Sequence, residues 1–271
     1  MSHVYSFAFI TCFVFYSKKY FEHPSVKLIF VISCLLGIIV LIRPVNGIVL
    51  FSLPFIANYF KKFKQGVFFF LKKYWLVFIS SAVFLSIVSI QFVIYKIQTG
   101  YFFIDSYGSE TFNWFGSHPV DFLMSYKKGF FIYTPVMLVS LFGFKFLYKN
   151  NRFEFYCLSS FLLILIYVLS SWWNWWYGGS FGTRVMIEYY CFFAILLLFT
   201  MQAIKTRIQT IVLSSALILT IFICQIQMYQ YRYYHIHWEN MDKEHYWRNF
   251  LRIDLIGKGI NLNKDLLENK L

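Results

Sequence analysis

Apolar residues run through the chain in eight stretches, at approximately 1–17, 27–42, 46–58, 74–95, 129–148, 153–171, 186–203 and 208–227, separated by short polar clusters. Several stretches hold no charge over about 17 to 22 residues, the length at which a helix crosses the hydrocarbon core of a bilayer. The pattern predicts an all-α fold, a polytopic transmembrane bundle of about eight membrane segments. The second and third stretches are short and meet at Arg43-Pro44-Val45-Asn46. Proline disfavours helix at the residue before it, so Arg43 should close one helix and Asn46 should open or cap the next, giving a short-helix hairpin.

The positive residues between the stretches set an orientation. Lys18/Lys19, Lys61/Lys62/Lys64/Lys72/Lys73, Lys149/Arg152 and Lys205/Arg207 mark four turns on the cytoplasmic side. Alternation then puts the N-terminus, the Arg43–Asn46 tip, the 96–127 loop, the 172–184 loop and the 228–271 tail on the external face. The cytoplasmic turns contain Glu22 and Glu154 as their acids and no glycine-rich phosphate loop. Chemistry is therefore expected on the external side, with a donor that is lipid-linked or otherwise exported.

Composition agrees with this class. The chain is 59% hydrophobic and 14% charged, with a mean hydropathy of +0.58, where soluble domains carry roughly 25% charge. A net charge of +13 would point to nucleic acid in a soluble protein. Here topology and anionic headgroups account for it, and membrane lipids, not nucleic acid, are the expected partners. The five cysteines, Cys12, Cys34, Cys157, Cys191 and Cys224, all fall in apolar runs and are expected as buried packing residues, with no metal site and no cofactor. Residues 1–227 are expected to form the bundle and residues 228–271 an external interfacial tail. In that tail Trp247, Leu251, Leu255 and Ile256 have the spacing of a short amphipathic helix that Gly257 and Gly259 break.

The densest local signal is Trp172-Trp173-Asn174-Trp175-Trp176-Tyr177-Gly178-Gly179-Ser180-Phe181-Gly182-Thr183-Arg184. Aromatics at a membrane edge form an anchoring belt by default, but a belt needs neither three glycines nor a charge. Arg184 and Glu188 have the i,i+4 spacing of a helix ion pair, with Glu188 orienting Arg184 for a phosphate or sugar. Trp176 and Tyr177 offer faces for a sugar or a prenyl chain. Arg43, beside Asn46, offers a second fork of donors, the bland alternative being an arginine that reaches to the headgroups. The 96–127 loop interleaves Asp105, Glu110, His118 and Asp121 with aromatics, which suits an acceptor carbohydrate as well as a solvated cap. His3 and Ser6 lie one turn apart in the first stretch, as a polar cluster or an interhelical hydrogen bond.

The runs Met1-Ser2-His3-Val4-Tyr5-Ser6-Phe7, Leu41-Ile42-Arg43-Pro44-Val45-Asn46 and Trp175 through Arg184 resemble the later parts of bacterial membrane glycosyltransferases of the GT-C superfamily. These are similar to protein O-mannosyltransferases and lipid A aminoarabinose transferases, and the resemblance covers about residues 1–230. It implies transfer of a sugar from a polyprenyl-phosphate donor on the external face of the bacterial inner membrane. In that superfamily an acidic residue of the first external loop activates the acceptor, whereas here Glu22 is the first acid and falls on the cytoplasmic side. The resemblance therefore implies a C-terminal portion that lacks the N-terminal catalytic loop, with a missing N-terminal half as a partner and the catalytic base unassigned. A non-catalytic membrane partner and a transporter or flippase of lipid-linked substrates are the competing classes.

Overall fold

A computed structural model describes residues 2–104, 108 and 110–255. Among these residues the regular elements are helices, with no strand. The elements are α1 (Ser2–Glu22), α2 (Val26–Ile42), a 3₁₀ helix (Pro44–Ser52), α3 (Leu53–Ile56), α4 (Phe60–Lys72), α5 (Tyr74–Thr99) and α6 (Pro119–Met124). They continue with α7 (Phe130–Tyr133), α8 (Val136–Ser140), α9 (Gly143–Asn150), α10 (Arg152–Ser170), a 3₁₀ helix (Arg184–Tyr189), α11 (Tyr190–Gln202), α12 (Arg207–Arg232) and α13 (Lys243–Asn249).

Four helical stretches are long and apolar enough to cross a membrane: Tyr74–Thr99, Arg152–Ser170, Arg184–Gln202 and Arg207–Arg232. The protein is membrane-embedded. α5 makes the reason plain, since Leu76 is its one buried residue along 26, and so apolar a surface needs an apolar solvent. Shorter apolar helices occupy Val26–Ile42 and Pro44–Ile56. The expected eight segments are not all continuous. The 129–148 stretch is three short helices, broken at Thr134-Pro135 and at Leu141-Phe142, because Pro135 supplies no amide donor and Gly143 marks a close crossing. Its turns are sheltered by protein: Phe130, Phe131, Tyr133, Val139 and Ser140 are buried.

The chain divides into two compact units. The first is Met1–Phe112, Phe144–Val168 and Ile187–Ile195. In it α1 packs on α2 and α4, and α2 packs on α5, where a Cβ on Gly37 would stand 3.0 Å from Ile87. Small residues at such crossings let helix backbones approach in a bilayer. Arg43 is extended (φ −153°) and closes α2 as the sequence requires, with Pro44 opening the next element. Asn46 lies inside that element rather than at its cap. The element is a 3₁₀ helix of nine residues, and its three-residue period lines up Asn46, Val49 and Ser52, all buried. At the other end of α1, Lys18 donates to the Asn58 side chain, and Asn151 donates to the Asn58 carbonyl (2.8 Å) and to Glu154 (3.0 Å). The lysine cluster expected as a turn is instead mostly the 13-residue helix α4.

The second unit is Asn113–Gly143, Leu169–Met186 and Leu196–Leu271. Its core joins Tyr133, Ile236, Met241 and Tyr246, with Tyr126, Phe181, Tyr231 and Phe250 against them. The tail thus packs into a core with α7, and α12 runs past residue 227 to Arg232. Gln227 donates to the Tyr246 hydroxyl at 2.7 Å, fastening α13. The tail helix begins earlier than its apolar spacing indicates. Asp242 caps it by accepting from the His245 amide (2.8 Å), and Leu251 at φ +54° lies beyond its end. Ile256, Gly257 and Gly259 lie outside the described residues. Of the cysteines, Cys191 is buried, Cys34, Cys157 and Cys224 are half-buried, and Cys12 is exposed, which corrects the expectation that all five pack inside.

Candidate functional site

Two clusters of charge stand out, one in each unit. In the first unit His3 near the start of α1, Arg43 at the end of α2 and Glu188 in the second 3₁₀ helix converge. Oε1 of Glu188 accepts from Arg43 Nη1 at 2.8 Å and lies 2.6 Å from His3 Nδ1. Arg43 Nη1 and His3 Nδ1 are themselves 2.9 Å apart. A carboxylate accepts from both, so the two nitrogens read as donors gathered on one anion. Glu188 is 1% exposed, against 26% for the Arg43 side chain and 16% for His3. Below them Tyr189 donates to Asn46 Oδ1 at 3.0 Å, while Asn46 Nδ2 and Ser6 Oγ are buried without a partner.

This arrangement corrects the Arg184–Glu188 pairing. Residues Arg184–Tyr189 form a 3₁₀ helix, in which i and i+4 point about 120° apart instead of lying on one face. Glu188 accordingly orients Arg43 and His3, and Arg43 already has its counter-charge.

The second cluster surrounds the glycine-rich loop. The backbone turns at Tyr177 (φ +56°), Gly178 (+63°) and Gly182 (+54°). At Gly182 a Cβ would stand 3.0 Å from Tyr133, so glycine suits both the turn and the space. Lys128, in the turn before α7, is 1% exposed. Its ammonium donates to the Gly178 carbonyl and, at 3.1 Å, to Ser180 Oγ, while Thr183 Oγ1 donates to the Lys128 carbonyl. Burial first, then the neighbouring Arg184 and Lys127, push the Lys128 ammonium down to about 7. Arg184 is half-buried, and its Nε is buried without a partner. Lys127 sits 3.6 Å over the Trp176 ring. Among the described residues no carboxylate forms an ion pair with Lys127, Lys128 or Arg184. The unit thus holds three neighbouring cations, one of them fully desolvated, and chemically this is a seat for an anion.

The other expected residues divide. Tyr177 donates to the Leu169 carbonyl at 2.8 Å and meets Phe122 edge-on, which makes it a loop holder. His118 and Asp121 are exposed and 3.2 Å apart, and the His118 ring stacks on Trp175 at 5.9 Å. The loop carrying them is tied to the end of α10 by the Asn113 and His118 amides, which donate to Ser171 (2.7 Å) and Ser170 (3.1 Å). Glu110 is exposed in the first unit, and Asp105 lies outside the described residues. Among the described residues no three His, Cys, Asp or Glu side chains are grouped to hold a metal.

Lys128 is the residue that sequence reasoning missed. Its signal is the pair Lys127-Lys128 on the side that alternation makes external, against the bias of lysine toward the cytoplasm. No protein-family model matches the chain, and neither a curated protein nor a solved structure is similar to it, so the resemblance to membrane glycosyltransferases rests on the quoted residues alone.

Proposed function

We propose that the protein is a glycosyltransferase-type membrane protein that takes a sugar from a polyprenyl-phosphate donor on the external face of a bacterial plasma membrane. In this reading Lys128 and Arg184 hold the donor phosphate. The supporting observation is that, among the described residues, neither side chain forms an ion pair with a carboxylate, Glu239 acting on Lys128 only at longer range, and that Lys128 is bonded to the glycine-rich loop. As the bond from the sugar to the phosphate oxygen breaks, negative charge grows on the leaving phosphate. The Arg184 guanidinium, joined by Lys128 in its protonated form, stabilises that developing charge more than the ground state. Trp176 serves the sugar or prenyl chain, and His118 with Asp121, stacked on Trp175, is the acceptor-side candidate in the same unit. Arg43, already bonded to Glu188, holds the first unit together.

The test is label transfer from a radiolabelled polyprenyl-phosphate sugar by purified protein in proteoliposomes. Wild-type protein should release label to an acceptor or to water. Arg184→Ala and Lys128→Gln should each lower the rate about a hundredfold while leaving membrane insertion unchanged. Donor binding without turnover would instead make the chain a non-catalytic partner, and ion-gradient-driven uptake would make it a transporter. Normal turnover in Arg184→Ala would remove that residue from the site.

A further inference from the structure

α4 presents a surface that the fold leaves uncovered. One side packs on α1: a Cβ on Gly66 would come within 2.7 Å of the Phe21 ring, the Gly66 carbonyl accepts from the Tyr20 hydroxyl at 2.7 Å, and Phe63 meets Phe21 at 5.9 Å. On the outer side Phe60, Phe68 and Leu71 are exposed at 63%, 62% and 58%. Lys61, Lys64, Lys72 and Lys73 are exposed among them. Lys72 and Lys73 fold back over Phe68 and Phe69, at 6.0 and 4.8 Å from the ring centres.

Residues 59–74 contain no acid. Among the described residues none of the lysines from Lys61 to Lys73 pairs with a carboxylate. The acids nearby are engaged: Glu22 with Lys18 (3.9 Å), and buried Glu154 with Asn151. One residue after α4 ends, the apolar 26-residue α5 begins, with Tyr74 and Trp75 exposed at its start. Aromatics at that position sit at headgroup depth, so α4 is fixed where a bilayer meets water. Apolar rings interleaved with lysines along one edge suit a helix lying in the interface, with the lysine stems reaching out to phosphates.

We propose that α4 with Lys73 is a binding surface for anionic phospholipid headgroups. Lys61, Lys64, Lys72 and Lys73 pair with lipid phosphates, and Phe60, Phe68 and Leu71 enter the boundary of the acyl chains.

The test uses the full chain in nanodiscs of phosphatidylcholine with a fixed fraction of phosphatidylglycerol, one or the other lipid carrying brominated chains. The readout is quenching of Trp75 fluorescence, taken as the difference from a Trp75→Phe chain. Brominated phosphatidylglycerol should quench at least about fivefold more per mole than brominated phosphatidylcholine, since a single lysine at an anionic surface is worth roughly that factor. Salt at 0.5 M should lower the preference in the unaltered protein, and K61Q/K64Q/K72Q/K73Q should bring it to one. Equal quenching by the two lipids overturns the proposal. So does a preference that survives both high salt and the four substitutions. Pairing of two chains in phosphatidylcholine alone, relieved by the same substitutions, would assign the surface to a second copy and likewise overturn it.

Discussion

Lys128 shows how much one side chain can carry. Its amine titrates near 10.5 in an ordinary setting and near 7 in the folded protein, with burial as the leading cause. Between those values the unfolded chain binds more protons than the folded one, so stability should rise as pH climbs from about 7 toward 10. Above that the trend should reverse, because burial pushes the Tyr246 hydroxyl up to about 12 and the folded state then keeps a proton that the unfolded chain releases. Thermal unfolding in detergent across this range is the check. Lys128→Gln keeps donors for the Gly178 carbonyl and Ser180 hydroxyl but carries no titrating charge, so its melting temperature should lack the rise between pH 7 and 10. A variant with the wild-type slope would show that another group sets the dependence. Glu188 makes the complementary case. Glu188→Ala leaves Arg43 and His3 as neighbouring donors with no anion, a loss of about 3–5 kcal/mol in unfolding free energy. Replacing all three with Leu, Met and Leu at 188, 43 and 3 should recover most of that loss, because the cost lies in the unpaired charge. If Glu188→Ala unfolds like wild type, the cluster contributes nothing to the fold.

Elements follow from the same residues wherever local rules act alone. α2 and α10 match their apolar runs at both ends, while α1, α5 and α12 start with theirs and run on to Glu22, Thr99 and Arg232, and Arg43-Pro44 and Asp242 stop or start helices by backbone chemistry. The misses come where packing decides. Nothing local to residues 129–148 says that the chain is cut at Leu141-Phe142; the cut lets Gly143 pass Leu196 so closely that a Cβ would collide with its carbonyl oxygen. The 3₁₀ helices Pro44–Ser52 and Arg184–Tyr189 were not legible either, since in the first the period of three shows only once Asn46, Val49 and Ser52 are seen to share a buried row. The charged clusters were half-visible. Arg43, Arg184 and Glu188 are conspicuous in apolar surroundings, but which of them meet depends on the turn between Arg184 and Tyr189. Gly143→Ala tests the crossing. It should destabilise the protein by about 1–3 kcal/mol, as overpacking does, with no change at the Lys128 loop. Gly100→Ala, where φ is +82° with no atom within 4 Å, should cost no more than about 1 kcal/mol. Equal effects at the two sites would mean that the close crossing at Gly143 adds nothing to the cost of replacing a glycine.

For the whole molecule, the decisive property is which segments share a side of the membrane. α5 has 26 residues and rises about 39 Å, enough for one complete crossing. α4 and the loop that follows Gly100 therefore face opposite sides. α10, with 19 residues, is also long enough for a crossing, and Asn151 at its start is bonded to Asn58, just before α4. The proposed topology then requires a recrossing between Lys128 and Asn151. In that topology the short helices α7, α8 and α9 supply the crossing, with their broken backbone set among buried residues. The proposed function requires the α4 side to be cytoplasmic and the Lys128 loop and the tail to be external, as the bias of lysine toward the cytoplasm predicts. In a chain whose five cysteines are replaced, single cysteines at Gln65 and Asn240 should react with a membrane-impermeant maleimide from opposite sides of sealed vesicles. Gln65 should react only from the cytoplasmic side and Asn240 only from the outside. Labelling of both from one side would remove a crossing from this arrangement, and with it the argument that the cationic loop meets an exported, lipid-borne donor. Opposite labelling in the reverse sense would keep every crossing but turn the loop toward the cytoplasm, where soluble nucleotide sugars would become the competing donors.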